Sequence, residues 1–268
     1  MYTISDVITF LKQDTDTIPQ TVDQLYNGNL ASPVQRIGVC FMPTIHVIKR
    51  ALDLQIDLLV CHEGLFYSHQ QQNVYKDDWL SHEKKKIIAH SPIAIYRYHD
   101  YAHRGKQDFI TEGLLHTLKW NKLVTHQTPV ASIVQLPKQT LQELIKYVQT
   151  QLHIHTSRYI GNLNLEVSKV ACLVGYRGGG QTAIPQFVQE DVDVVLYGEG
   201  PEWETPEWIR DRNEIGAGKA GIILGHIESE EPGMEYITML LQNKFPTLSI
   251  THIASNNIIQ TYCAGKEM

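Results

Sequence analysis

The sequence has few cysteines and no surplus of positive charge. Its four cysteines (Cys40, Cys61, Cys172 and Cys263) are scattered along 268 residues and form no CxxC pair. This excludes a cysteine-rich zinc motif and a dense disulfide framework, and it indicates reduced, buried thiols in a cytoplasm. The formal net charge of −6 at pH 7 gives no basic footprint, so we expect no binding to nucleic acid.

Long apolar runs are also absent. No segment approaches the ~20 apolar residues of a membrane-spanning helix. The amphipathic start MYTISDVITFLKQ is unlike a secretory signal, which needs a basic start and an apolar centre. With 43% hydrophobic and 19% charged residues, the chain is expected to be a globular cytoplasmic protein that does not bind membranes.

Several enzyme motifs are absent or fail on their context. The His-Glu pairs at 62–63 and 82–83 have no second histidine at the fifth position, so the HExxH zinc-protease helix is missing. Residues 216–221 spell GxGxxG, but this motif precedes a predicted strand. The dinucleotide-binding motif has to follow a strand. The glycine turn at 178–180 is interpreted as a tight turn in preference to an anion-binding nest. No GxSxG elbow or evident nucleophilic cysteine is found.

Buried-strand patterns alternate with helical ones along the whole chain. One round of strands is predicted at 34–41, 56–60 and 93–98, a second at 130–136, 166–174, 192–196 and 221–224, and the last at 248–250 and 257–262. This alternation predicts an α/β fold of two similar, intertwined lobes with mixed sheets flanked by helices. The expected lobes are residues 1–125 plus 236–268, and residues 126–235. The lysines at 84–86 are interpreted as a solvated helix face.

Three of these strands end in pairs of potential metal ligands. The strand at 56–60 leads into His62 and Glu63. The strand at 93–98 leads into His99, with His103 four residues on, and a late strand leads into His226, with Glu230 four residues on. In open α/β sheets, ligands bind outside the carboxyl ends of strands. Four imidazoles and two carboxylates suit Zn, Fe or Mn better than Ca or Mg.

The spacing within each pair suggests how ions could be shared. Adjacent residues leaving a strand point to opposite sides, so His62 and Glu63 are expected to hold one ion each, at the ~3.5–4 Å separation of two-metal sites. His99 and His103 meet on one face if their turn is helical. Spacing alone leaves further oxygen ligands open, namely Asp100, Glu228 and Glu231.

The same segments resemble the NIF-three-like family, whose members are often named GTP cyclohydrolase 1 type 2 homologues. In that family strands run into His-His, into His-x-x-x-Asp and into Gly-His-x-x-x-Glu; here these stand as CHEGLFY, YHDYAH and GHIESE. VCFMPT, VGYRGGGQT and VVLYGEG resemble its strand-to-helix step, glycine-rich turn and acidic loop. Glu63 replaces a family histidine and His103 a family aspartate, so the exchange preserves four imidazoles and two carboxylates.

The resemblance implies a dinuclear metal-binding protein that holds two divalent transition-metal ions (Zn, Fe or Mn). The implied ligands are His62, Glu63, His99, His103, His226 and Glu230, since the family spacing selects Glu230 over its neighbours. Glu199 matches the acidic loop residue. This residue either orients a metal ligand by contacting it on the side away from the metal, or is a surface carboxylate. The resemblance also implies a homohexameric ring, a trimer of dimers, with its metal sites facing an internal cavity.

A metal-dependent hydrolase acting on a small molecule is the first functional hypothesis. Water activated between two ions can attack at neutral pH, and Glu63 or Glu230 would act as general base. A cyclohydrolase-type attack on a purine ring and phosphoester cleavage both fit. The alternative is a non-catalytic metal-handling ring or a scaffold protein. Trp203 and Trp208 are interpreted as the buried aromatic side of a helix, in preference to a partner or ring interface.

Overall fold

The computed structural model describes residues 1–13, 15–70 and 78–262. In chain order its strands are β1 (Gln24–Asn27), β2 (Arg36–Cys40), β3 (Leu58–Cys61), β4 (Ala94–Arg97), β5 (Val124–Gln127), β6 (Ser132–Thr140), β7 (Arg158–Ile160), β8 (Glu166–Leu173), β9 (Val194–Tyr197), β10 (Ala220–Ile223) and β11 (Ser249–His252).

The helices lie between these strands. They are α1 (Ile4–Lys12), α2 (Ile45–Asp53), α3 (Trp79–Ala89), α4 (Asp100–His103), α5 (Phe109–Thr117), α6 (Leu141–Leu152), α7 (Gly180–Gln189), α8 (Thr205–Glu214) and α9 (His226–Lys244), with a short 3-10 helix at Asn121–Leu123. Among the described residues, no helix combines the length and apolar character needed to cross a membrane.

The chain forms two compact units, and each takes up two segments of sequence. The first unit contains residues 1–113 and 233–255, and the second contains residues 114–232 and the stretch that begins at Asn256. The lobe boundaries expected from the sequence, after residues 125 and 235, stay a prediction. The mixed α/β architecture expected from the sequence is confirmed, because each unit has its own mixed sheet flanked by helices.

The sheet of the first unit has the order β1-β4-β3-β2-β11. Strands β2, β3, β4 and β11 are parallel, and β1 is an antiparallel edge. In this register Cys40 lies beside Cys61, and Cys61 beside Arg97. The central strands are buried because their residues are almost all apolar. Their aligned carboxyl ends bring the residues that follow β3 and β4 to one edge of the sheet.

The sheet of the second unit has the order β5-β6-β8-β9-β10-β7. Its parallel centre is β8, β9 and β10, with Leu173 beside Tyr197 and Tyr197 beside Ile223. Antiparallel strands flank this centre on both sides. The turns after the three parallel strands therefore leave the sheet at one edge, and one of them leads into helix α9 at His226.

The prediction was wrong at several polar or exposed segments. Strands β1, β5 and β7 were not predicted, because their residues are only partly buried and give no apolar run. The strand predicted at 257–262 is not formed, and Ile258 and Ile259 are exposed. Helix α9 begins at His226 and continues through Pro232.

Lys84 is not part of a solvated face, so that prediction was also wrong. Helix α3 places Lys84 on the same buried side as Ser81 and Ile88. Its side chain is fully buried, and Nζ donates a hydrogen bond to the carbonyl oxygen of Leu65 at 2.6 Å. Burial lowers the pKa of Lys84 to about 8. Lys86, two residues on, is exposed and pairs with Glu83.

Candidate metal centre

Three imidazoles of the first unit lie together where β3 and β4 end. His62 follows β3 directly, and His99 and His103 stand at the two ends of the turn formed by α4. One ligand nitrogen from each lies within 4.8 Å of the others. The ring centres of His62 and His99 are 4.5 Å apart, and those of His99 and His103 are 5.0 Å apart. The turn between His99 and His103 is helical, which is the condition under which the two rings were expected to meet on one face.

A buried carboxylate holds the start of α4 in place. Asp23 accepts hydrogen bonds from the backbone N–H groups of His99 at 3.0 Å, Asp100 at 2.7 Å and Tyr101 at 3.3 Å. Burial raises the pKa of Asp23, although the three donors oppose this. The position of α4, and with it the spacing of His99 and His103, is therefore set by an acid far away in sequence.

Each of these imidazoles has its Nδ1 beside an oxygen. His62 Nδ1 lies 3.1 Å from the carbonyl oxygen of Tyr98. His99 Nδ1 lies 3.2 Å from Asp100, and His103 Nδ1 lies 3.1 Å from Asp108. An oxygen of this kind accepts the Nδ1 proton, so a neutral ring presents its lone pair at Nε2. This is the second-sphere arrangement that orients metal-binding histidines.

His99 is held in the uncharged form that metal binding requires. Burial lowers its pKa to about 3, and the neighbouring His62 adds to the shift. Imidazole ligands must be deprotonated to bind a metal, so His99 is ready to act as a ligand at neutral pH. Asp100, an open alternative as an oxygen ligand, is engaged by His99 and by the backbone N–H of Val22 at 3.0 Å.

Glu63 is attached to a buried arginine. Arg97 Nη2 donates to Glu63 Oε2 at 3.2 Å, and Arg97 is fully buried. The expectation that His62 and Glu63 point to opposite sides was wrong, because a ligand atom of each lies within 4.8 Å of the other. The physical reason is that β3 ends at Cys61 and both residues lie in the bend that follows, where strand alternation no longer applies.

His69 belongs to this cluster, and the sequence patterns did not identify it. One nitrogen of His69 lies within 4.8 Å of ligand atoms of Glu63 and His99. Its ring meets that of His99 edge to face, with centres 4.6 Å apart. Burial and the Arg97 guanidinium lower the pKa of His69. Its only sequence signal was its place in the segment IDLLVCHEGLFYSH that leaves β3.

The second unit carries a smaller cluster at the start of α9. His226 Nδ1 lies 2.7 Å from Glu199, and His226 Nε2 lies 3.0 Å from Glu230. Both residues lie in the first turns of α9, so their spacing of four residues places them on one face of the helix. Glu230 is almost fully buried. Glu228, another open alternative, pairs with Asn257, and burial raises its pKa.

The glycine turn of the second unit is a close approach of backbones, as predicted. A Cβ on Gly178 would lie 2.2 Å from the ring of Tyr197, and one on Gly200 would lie 2.5 Å from the backbone of Gly178. Gly180, the first residue of α7, donates its N–H to Glu204 at 2.6 Å. This donor is satisfied by the protein itself, which agrees with a tight turn.

The two tryptophans considered as interface residues differ in their surroundings. Trp208 stacks on Phe187 with ring centres 5.0 Å apart, whereas Trp203 is exposed.

Cys40, Cys61 and Cys172 are buried free thiols, as expected, and Cys263 lies outside the described residues. Burial raises the pKa of Cys61 to about 12, which is the property of an inert thiol.

The fold and these clusters define an α/β protein with imidazole and carboxylate groups able to hold a metal ion. The family model described as Duf34/NIF3 (NGG1p interacting factor 3) matches residues 7–260, and the chain belongs to this family. The family resemblance found in the sequence is thereby confirmed.

Individual proteins are similar to this chain in sequence or in fold. A protein of Clostridium perfringens (strain 13 / Type A), named GTP cyclohydrolase 1 type 2 homolog, is 26% identical over 216 residues, which cover 76% of this chain and 77% of the relative. The crystal structure of Staphylococcus aureus hypothetical protein SA1388 has a TM-score of 0.76 at 15% identity, covering 97% of this chain and 99% of that one. A Bacillus cereus protein related to NIF3 has a TM-score of 0.72 at 14% identity, covering 98% and 99%.

Proposed function

We propose that the chain binds two divalent transition-metal ions and acts as a metal-dependent hydrolase on a small molecule. The observation that supports this proposal is the orientation of the imidazoles. Each of them has Nδ1 beside an oxygen acceptor and so presents Nε2. The proposed ligands are the six residues that match the family motifs: His62, Glu63, His99, His103, His226 and Glu230.

The donor chemistry fits zinc, iron or manganese. Imidazole nitrogens suit these ions, whereas calcium and magnesium prefer oxygen ligands. Asp100 and Asp108 support His99 and His103 in the first unit, and Glu199 supports His226 in the second. We therefore assign Glu199 the role of orienting His226, in agreement with its place in the acidic loop.

A pair of such ions, when bound, supplies hydroxide at neutral pH by lowering the pKa of water to near ~7. The chain itself has to hold the substrate and take up a proton. Glu63 and Glu230 are the proposed general bases, since a carboxylate that is not fully committed to a ligand role can accept a proton. The name of the Clostridium perfringens relative makes GTP the first substrate to test, and phosphodiesters are the second.

The metal site is tested by elemental analysis of protein loaded separately with zinc, iron and manganese. We expect near two ions per chain in the wild type and loss of both in the His62→Ala/His226→Ala double variant. His46→Ala, an exposed histidine on α2, is the matched control and should keep both ions. One ion or none in the wild type contradicts the dinuclear assignment.

Catalysis and assembly need their own measurements. Turnover of GTP or a phosphodiester by the metal-loaded wild type, absent in the double variant, would establish the hydrolase. A fully loaded protein that turns over neither substrate favours the alternative, a metal-handling or scaffold protein.

The hexameric ring implied by the resemblance is tested by light scattering, which should give six times the chain mass of 30.6 kDa.

A further inference from the structure

His69 is close enough to Glu63 and His99 to be counted as one more metal ligand. None of the family motifs quoted above includes it, so its role has to come from its contacts. His69 is an exposed residue, whereas His62 is buried and His99 and His103 are partly buried. An exposed histidine at the edge of a buried cluster is accessible to a ligand arriving from solvent.

The hydrogen bond at His69 Nδ1 differs in kind from those of the other cluster histidines. Its partner is Arg97 Nη2, at 3.3 Å. A guanidinium has only donors and keeps its protons in proteins. Nδ1 of His69 must therefore accept, and in a neutral imidazole the proton then sits on Nε2. The other rings have an oxygen at Nδ1, which favours the reverse tautomer.

Arg97 also fixes the backbone around this ring. Its Nη1 donates to the carbonyl oxygen of His69 at 2.8 Å, and its Nε donates to that of His62 at 3.2 Å. Lys84 donates to the carbonyl oxygen of Leu65 in the same loop at 2.6 Å. Two buried cations thus hold the loop, so the His69 ring is set in position before any ligand arrives.

We propose that His69 is a hydrogen-bond donor for an oxyanion bound at the metal centre, and that it is not a metal ligand. A ring that carries its proton on Nε2 offers an N–H to an oxygen and no lone pair to an ion there. Such a donor suits a phosphate or another negatively charged oxygen of a substrate. This inference rests on the proposed metal site and adds a substrate-binding group to it.

The tautomer is measured first, on metal-free protein. Solid-state NMR of [13C,15N]histidine-labelled wild type and His69→Gln gives the His69 signals by difference, whatever the size of the assembly. We expect a protonated Nε2 and an unprotonated Nδ1. A protonated Nδ1 at His69 would overturn the proposal. Because no metal is present, this result stands even if the wild type binds no ion in elemental analysis, which would contradict only the metal-site proposal.

The second measurement uses inorganic phosphate as the probe and zinc-loaded protein, by calorimetry. His69→Phe keeps the ring shape without a donor, and we expect it to weaken phosphate binding by roughly tenfold. His69→Gln keeps an N–H and should bind within roughly threefold of the wild type. All three proteins should hold equal zinc. Equal phosphate affinity in all three, no phosphate binding by the zinc-loaded wild type, or loss of an ion from His69→Phe, would each overturn the proposal.

Discussion

The Arg97 guanidinium lies 3.2 Å from the Glu63 carboxylate, and Arg97 is completely buried whereas 18% of the Glu63 side chain is exposed. A buried guanidinium needs an anionic partner. Glu63 supplies that partner at the position where the family motif has a second histidine. The exchange at this position is thus tied to Arg97 as well as to the proposed metal site.

Glu63→Gln should lower the free energy of unfolding by about 3 kcal/mol, because it leaves the buried guanidinium without a counter-charge. The double variant Glu63→Gln/Arg97→Met should lose less than the sum of the single variants. Urea unfolding at pH 7 measures all three. Glu83→Gln is the control, since its pair with Lys86 is exposed and should matter by less than about 1 kcal/mol. Strict additivity would contradict a coupled pair.

Lys84 should make stability depend on pH in the alkaline range. Its folded pKa is lowered by burial to about 8 from an ordinary 10.5. Between these values the unfolded state binds more protons, so stability rises with pH. The full gain is about 3 kcal/mol. In urea unfolding between pH 8 and 10.5, the stability of the wild type relative to Lys84→Met should therefore rise, whereas the profile of exposed Lys86→Met should run parallel to that of the wild type. Parallel pH profiles for Lys84→Met and the wild type would refute the assignment.

Asp108→Asn should weaken metal binding without unfolding the chain. Asp108 faces Nδ1 of His103 and also accepts the N–H groups of Ile110 and Thr111 at the start of α5. Asparagine caps helices as well as aspartate does, so the change isolates the charge beside the imidazole. We expect zinc affinity to fall roughly ten- to hundredfold with little change in melting temperature. An unchanged affinity in a chelator competition would show that Asp108 serves only α5.

The sequence predicts best where one physical signal dominates. Buried parallel strands such as β3 and β9 are continuous apolar runs, and the i, i+4 pair of His226 and Glu230 needs only a helical turn. The strands and the spacing of the pair were found from the sequence, whereas the helical turn that joins the pair was not. The polar edge strands give no such pattern, because backbone pairing with a neighbour and not their own side chains places them in a sheet.

Long-range contacts account for what the sequence could not predict in the site. Asp23 holds α4 from a position 76 residues before His99. Arg97 reaches back across the sheet to Glu63 and His69, and Lys84 is buried only because α3 turns it towards Leu65. Each is a charged residue of the kind that is usually solvated. Only the tertiary fold shows that these charged groups are buried and hydrogen-bonded.

Gly175 provides a test of the second-unit cluster that leaves both of its ligands unchanged. A Cβ at this position would lie 2.1 Å from Glu230 Oε1 and 3.2 Å from His226 Nε2, so alanine should push the carboxylate out of place. Gly216 is the matched control: both glycines have positive φ, 60° and 82°, but nothing lies within 4 Å of a Cβ at Gly216. Both variants should lose about 1–2 kcal/mol of stability from backbone strain. Only Gly175→Ala should lower zinc affinity, by roughly tenfold or more, in a competition with a chromophoric chelator. Equal affinities in the two variants would mean that the place of Glu230 beside His226 is irrelevant to metal binding.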